Sequence, residues 1–314
     1  VTLPSSREGW EHVRVLVVGF GPAGAAAADN LLFLGAQVTA LDTDPGDADT
    51  QERAELLRTL GADIRLGEDA FADLPAAELV VATGGSGVGT IGAPLWSDAE
   101  LAWRLRDPAV PWLVSAGRGH ARVARLLAAI LTAAGLRAVH AGAGGTPLVE
   151  AVMDPAQPAV LAVALDTTQL PGTSTLAAES AAVLSSQDPA LGRAYQGVAR
   201  ACVYDVADEG TERFVMDAEV VEGARAIGIT LDTPGVSMLG LVEDLLVDRA
   251  FIPQRHTSAA ELATVADLGP GGADPAYLRD ALAAAALARA HGVSQVAVRD
   301  GLRAAGAVDS PGDE

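Results

Sequence analysis

Apolar positions along this chain alternate between short continuous runs and longer, helically spaced stretches. Val13–Gly19 (VRVLVVG) is an almost unbroken apolar run, which predicts a parallel strand buried on both faces. The alanine-rich stretch after Gly24 predicts a helix to about Leu34, stopped by Gly35, and Gln37–Leu41 predicts a second strand ending at Asp42. A helix at about Gln51–Leu60, short strands near Asp63–Leu66 and Leu79–Ala82, and a helix at about Asp98–Arg106 continue the pattern. Residues 1–12 read as a tail or short entry segment. Such alternation predicts an α/β fold built on a doubly wound parallel sheet.

Asp107-Pro108 interrupts the pattern, which then restarts. Trp112–Ser115 reads as a strand, Ala116–His120 as a glycine-bearing loop and Ala121–Ala134 as a helix. Strands are expected at Ala138–Ala141, Val160–Leu165, Ala181–Leu184 and Ala201–Tyr204. Residues 224–250 read as short β segments, and Pro275–His291 and Ser294–Ala304 as closing helices separated by Gly292. The expected organisation is a first domain over 1–106, a second over 107–306 and a disordered polar tail over 307–314.

Composition narrows the function classes. Half the residues are hydrophobic but only 4% are aromatic, so aliphatic contacts must dominate the core. A net charge of −20 argues against nucleic acid or an anionic membrane as a partner. No basic-then-apolar leader and no apolar run of about 18 residues is present, which makes a cytoplasmic protein the expectation. The single Cys202 excludes an intrachain disulfide and a cysteine-based zinc site, and its apolar strand marks it as an inert core thiol. His12, His140, His256 and His291 are too scattered to suggest a metal site. All 21 residues counted as Lys+Arg are arginine, so nothing in this sequence can use a lysine ammonium, Schiff base or carbamate.

Two glycine loops carry the candidate chemistry. Gly19-Phe20-Gly21-Pro22-Ala23-Gly24 lies between a strand and a helix, where backbone N–H groups can approach a diphosphate at the helix N-terminus. Asp42, at the end of the next strand, is placed to accept a ribose hydroxyl. Glycines in such a loop also serve tight strand–helix packing alone, and the pattern does not select a ligand. Gly21-Pro22-Ala23-Gly24 and Val80-Val81-Ala82-Thr83-Gly84 resemble flavoprotein loops, so FAD or NAD in an oxidoreductase is a competing reading. Thr43-Asp44 after Asp42, and the lack of a second flavin-contacting element, count against it.

Longer blocks carry a resemblance. Glu100–Leu105 (ELAWRL), Gly145–Val152, Ala224–Phe251 (ARAIGITLDTPGVSMLGLVEDLLVDRAF), Ala259–Leu268 and Asp280–Gly306, together with the N-terminal unit, resemble the Mur ligases, and among them the MurD-like branch. The resemblance implies a Rossmann-like N-terminal domain holding the UDP moiety of a substrate, and a central P-loop-type α/β domain. It implies Gly19 to Gly24, Asp42, Thr43, Thr83 and Gly84 as contacts to a UDP-linked small molecule. The family usually carries a basic residue where Asp44 stands. The chain stops near where the family's third domain would start, so that domain is expected to be absent.

The family's ATP machinery is where this sequence departs. Its parts are a P-loop lysine, a hydroxyl and a carboxylate on magnesium, a carbamylated lysine, and a histidine–asparagine pair near the nucleotide. The matching loop reads Gly117-Arg118-Gly119-His120-Ala121-Arg122, with His120 for the lysine and Ala121 for the hydroxyl. The family's Glu-Leu-Ser-Ser-Phe-Gln reads Ala164-Leu165-Asp166-Thr167-Thr168-Gln169, so the magnesium carboxylate has become Ala164. The Asp-His segment is reduced to Ser186-Gln187-Asp188-Pro189-Ala190, the lysine helix is shortened around Gly192–Ala199, and His-Asn reads Ala276-Tyr277. Arg118, His120 and Arg122 could hold an anion, although drift on a solvated loop is the plainer reading. Asp166 could serve as an acid or base, or merely cap a strand end. The expectation is a catalytically inactive pseudo-ligase with no catalytic residues, no metal and no cofactor. It would bind a UDP-linked precursor or a protein partner, with a homodimer as one form. The alternative is an enzyme with repurposed, ATP-independent chemistry.

Overall fold

The computed structural model describes residues 3–84 and 92–308. The chain forms two compact units, one from residues up to Pro108 with 146–157 and 168–176, the other from 109–145, 158–167 and 177 onward.

The first unit begins with β1 (Arg14–Val18), α1 (Pro22–Phe33), β2 (Gln37–Asp42), α2 (Ala48–Thr59), β3 (Asp63–Leu66), β4 (Leu79–Ala82), β5 (Leu95–Ser97) and α3 (Asp98–Leu105). Its five strands are parallel in the order β3-β2-β1-β4-β5. Chain direction across the sheet reverses at β1, whose neighbours are β2 and β4, so the loop after β1 opens at a topological switch point. The stretch read as an entry segment is anchored: Trp10 is fully buried, and Arg7 donates to the carbonyls of Leu105 and Val152.

The second unit starts with β6 (Trp112–Ala116), α4 (His120–Ala133) and β7 (Ala138–Gly142). The chain then returns to the first unit through α5 (Leu148–Met153) before β8 (Val160–Leu165). After a short 3₁₀ turn in the first unit come β9 (Ser180–Val183), a 3₁₀ helix over Pro189–Tyr195, β10 (Ala201–Asp205), α6 (Glu209–Asp217), β11 (Arg225–Ile229), β12 (Met238–Val242), β13 (Leu245–Asp248) and β14 (Ala260–Thr264). A kinked 3₁₀ segment over Val265–Ala273 leads into α7 (Pro275–His291) and α8 (Gln295–Val308). The sheet runs β14-β13-β12-β11-β10-β9-β6-β8-β7, parallel except for the pairings of β13. Here too the order reverses at one strand, β6, and the glycine loop follows it.

The expected cut at 106/107 thus lies close to Pro108, but two later segments expected in the second domain pack with the first. One reason is legible at the atomic level. Glu100 on α3 is fully buried and accepts from Ser174 N, Thr175 N and both their hydroxyls, while Arg104 donates to it from the next turn. Gln169 donates to both oxygens of buried Asp98. Residues 168–176 are therefore tied to α3 by charge-assisted bonds.

In the second unit α4, α7 and α8 cover one sheet face around a single aliphatic core. The alanine run Ala283–Ala286 is wholly buried, ordinary packing that brings α7 close to its neighbours. Cys202 is buried in β10, where desolvation pushes its thiol up to about 12. Of the tail expected at 307–314, residues 307 and 308 complete α8 and 309–314 lie outside the described residues. No helix among the described residues is long and apolar enough to cross a membrane.

Candidate functional site

Each unit presents a glycine loop at the carboxyl end of its switch-point strand, where ligands of open α/β sheets bind. In the first loop the three glycines differ in what they do. Gly19 has φ +94°, a left-handed conformation that favours glycine. A Cβ on Gly24 would collide with the Gly19 carbonyl, so that glycine permits α1 to pack on β1. Gly21 has an ordinary extended conformation, and a Cβ there would meet nothing within 4 Å. Neither backbone strain nor internal packing requires glycine at 21.

The loop is fixed from two sides. Asp42 accepts from Phe20 N at 2.6 Å through one oxygen and from Asp44 N at 2.9 Å through the other. Its carboxylate thus holds the loop itself. Thr83, almost fully buried, donates its hydroxyl toward the carbonyls of Val18 and Gly19. Pro22 starts α1, where its missing N–H costs nothing. Ala23 is half-buried, and Thr43 and Gly84 are exposed nearby in sequence. Beside the loop lies a cavity of about 420 Å³ whose lining includes Phe20, Gly21, Pro22, Asp47, Arg53 and Glu150. Sequence reading missed the last three. Asp47 caps α2 by accepting from Thr50 N, which was recognisable locally. Glu150 arrives on α5 after a long excursion of the chain, and nothing local announces it.

The second loop is bonded to its own chain at several points. Gly117 and Gly119 have φ of +82° and +74°. His120 begins α4, and its Nδ1 lies 2.5 Å from the Gly117 carbonyl. A carbonyl can only accept, so Nδ1 carries the proton. Nε2 is buried without a hydrogen-bond partner among the described residues. Ser115 donates to the His120 carbonyl at 2.8 Å. Arg118 N donates to the Ser185 hydroxyl, and its guanidinium reaches the Leu184 carbonyl.

Arg122 is partly buried and paired. Its Nε donates to Asp280 Oδ2 at 2.5 Å, with Asp274 4.0 Å away and the Tyr277 ring centroid 5.2 Å from the guanidinium. Burial raises Asp280 to about 6 despite the attraction of Arg122 and Arg118. Ala121 is half-buried, and Ala164 is fully buried on β8. A cavity of about 410 Å³ beside the loop is lined by Arg118, His120, Asp166, Ser185 and Asp188 among others. Asp188 accepts from Ala190 N and so caps the 3₁₀ helix standing where the family's lysine helix was expected. Asp208 accepts from Ser186 N and Oγ; burial opposes ionisation there, but these bonds hold Asp208 below the usual carboxylate range. Burial chiefly lowers the proton affinity of His140, and the charge of Arg125 lowers it further. Among the described residues no three His, Cys, Asp or Glu side chains converge as metal ligands.

Known proteins resemble this chain at several levels. Residues 1–84 match the family model described as alanine dehydrogenase/PNT, C-terminal domain. The chain is 45% identical to the UDP-N-acetylmuramoylalanine–D-glutamate ligase of Streptomyces avermitilis over 94% of its own length and 67% of the relative's. It is likewise 45% identical to the same-named ligase of Streptomyces coelicolor, over 96% of the chain and 68% of the relative. It therefore spans about two thirds of each relative. Among solved structures, the UDP-N-acetylmuramate:L-alanyl-gamma-D-glutamyl-meso-diaminopimelate ligase from Neisseria meningitides matches with a TM-score of 0.56 at 16% identity, covering 93% of this chain and 98% of that one. The UDP-N-acetylmuramate-alanine ligase MurC from Thermotoga maritima gives 0.54 at 15%, covering 93% and 68%. At such identities these two likenesses speak to fold alone.

Proposed function

Because the chain belongs to the UDP-N-acetylmuramoylalanine–D-glutamate ligase (MurD) family, we propose that it keeps the family's scaffold but does not drive ligation with ATP. It acts instead as a binding protein for a UDP-linked precursor or a protein partner. The observation that carries this reading is the state of the loop after β6. His120 and Ala121 stand where the resemblance places the phosphate-binding lysine and the magnesium hydroxyl, and the His120 ring is tied back to Gly117. Ala164 puts a buried methyl group where a magnesium carboxylate would stand. Phosphoryl transfer depends on positioning and charge neutralisation. One electrostatic donor is worth about 3–4 kcal/mol of transition-state stabilisation, so several losses together leave no useful rate. The 314 residues also contain no lysine to carry a carbamate.

The first loop supports the binding half of the reading. Gly21, needed neither for φ nor for packing, leaves open room for a group to approach the backbone at the N-terminus of α1. Asp42 and Thr83 hold the loop in shape without any ligand. Nothing in the geometry favours a dinucleotide over this reading.

Thermal-shift titration of one preparation with UDP, UDP-N-acetylmuramoyl-L-alanine, ATP–magnesium, NAD and FAD tests it. A ligand at about 100 times its Kd adds roughly 2.7 kcal/mol of stability. Stabilisation by the UDP compounds alone is expected. Stabilisation by ATP–magnesium contradicts the lost-ATP half, and stabilisation by none of the five removes the UDP ligand and leaves the protein partner.

A further inference from the structure

A phosphate-binding turn works because N–H groups at a helix N-terminus lie uncovered for an external anion. The turn before α4 already has an anion of its own chain against it. Asp280, on α7, is only 4% exposed, and a Cβ built on Gly119 would collide with both of its carboxylate oxygens. The carboxylate therefore packs directly on the turn. The arginines flanking the turn are drawn to it as well: Arg122 Nε donates to Oδ2 at 2.5 Å, and the charge of Arg118 also acts on Asp280. The Tyr277 ring faces Arg122 and helps hold the pair.

We propose that Asp280 is an internal counter-anion that closes the turn Gly117–Ala121 to external phosphate and thereby sets the ligand selectivity of the second unit's cavity. Asp280 packs behind Gly119 rather than on the cavity wall, and it draws on Arg122 and Arg118, so an entering phosphate would meet arginines whose charge is already matched. A carboxylate close behind the turn disfavours an anionic ligand there. The cavity of about 410 Å³ next to the turn, walled by Asp166 and Asp188 as well as Arg118 and His120, then suits a nucleotide triphosphate poorly. The inference rests on the reading that ATP does not drive this protein, and it names the residue that enforces the exclusion.

The test compares the wild-type chain with Asp280→Asn and Asp280→Ser, each folded state being checked by circular dichroism. Inorganic pyrophosphate is titrated by calorimetry and by thermal shift, and each protein is referred to its own ligand-free baseline. No response from wild type is expected, with both variants binding pyrophosphate at least about tenfold more tightly. If one variant does not fold, the other carries the comparison. Silence from every folded variant would overturn the counter-anion role while leaving the lost-ATP reading intact. Wild type responding as strongly as the variants would overturn this inference and the ATP exclusion together.

Discussion

Glu100 and Asp280 are both buried carboxylates beside an arginine, and their surroundings push them in opposite directions. Burial disfavours the charge on Glu100, but two backbone N–H groups, the Thr175 hydroxyl and Arg104 outweigh it and hold the group below the usual range. Its unfolded form binds a proton more readily than its folded form. The stability it contributes is therefore present at neutral pH and lost as pH falls through the lowered value. Glu100→Gln should cost about 3 kcal/mol at pH 7 by leaving Arg104 and the Ser174–Thr175 donors unmatched. Urea unfolding should show that difference shrinking in acid. Asp280 runs the other way, its folded value being raised from 3.8 to about 6 chiefly by burial. Its contribution is complete below the unfolded value and is lost as pH rises through about 6. The charged groups facing it are Arg122, Arg118 and Asp274. Asp280→Asn should therefore gain on wild type between about pH 4 and 6 and hold level above 7, by on the order of 3 kcal/mol in all. A difference that stays flat with pH would count against the burial argument.

At the scale of elements, the first loop separates structural glycine from ligand-facing glycine. Gly24→Ala forces a methyl group into the Gly19 carbonyl and should cost several kcal/mol or prevent folding. Gly21→Ala should leave stability within about 0.5 kcal/mol and weaken only binding of a UDP ligand, read by parallel melts with and without UDP. Equal losses of stability in both variants would mean Gly21 serves packing after all. The same scale shows what sequence could reveal. Strands such as Val160–Leu165 and Leu79–Ala82 were legible to the residue because central parallel strands are continuous apolar runs. α6 was not, since only Thr211 on its nine residues is buried and its apolar residues are confined to Phe214–Met216. β14, at the sheet edge and joined across a register shift, and the three-residue β5 carry too little pattern to read. The first glycine loop was found from its spacing and the second from the family resemblance, whereas the Arg122–Asp280 pair was not found, because its members lie 158 positions apart.

On the scale of the whole molecule, two sheets with matching logic occur in one chain, each placing a glycine loop at its switch-point strand. The alternating pattern led to an expected division at 106/107, and the first stretch of the first unit ends at Pro108. The return of 146–157 and 168–176 to the first unit was hidden, since it depends on buried polar pairs such as Glu100 with Ser174 and Thr175. The two loops differ: one holds a glycine at 21 with open space beside it, and the other has His120 bonded back to Gly117 and the Arg122–Asp280 pair beside it. ATP-driven ligation needs the second loop open and charged, so the account stands or falls on that reaction. The most direct measurement incubates the protein with UDP-N-acetylmuramoyl-L-alanine, D-glutamate, ATP and magnesium, following ADP release and the amide product by mass spectrometry. The account predicts neither above the enzyme-free background. Release of ADP that depends on D-glutamate, with the matching amide product, would contradict it.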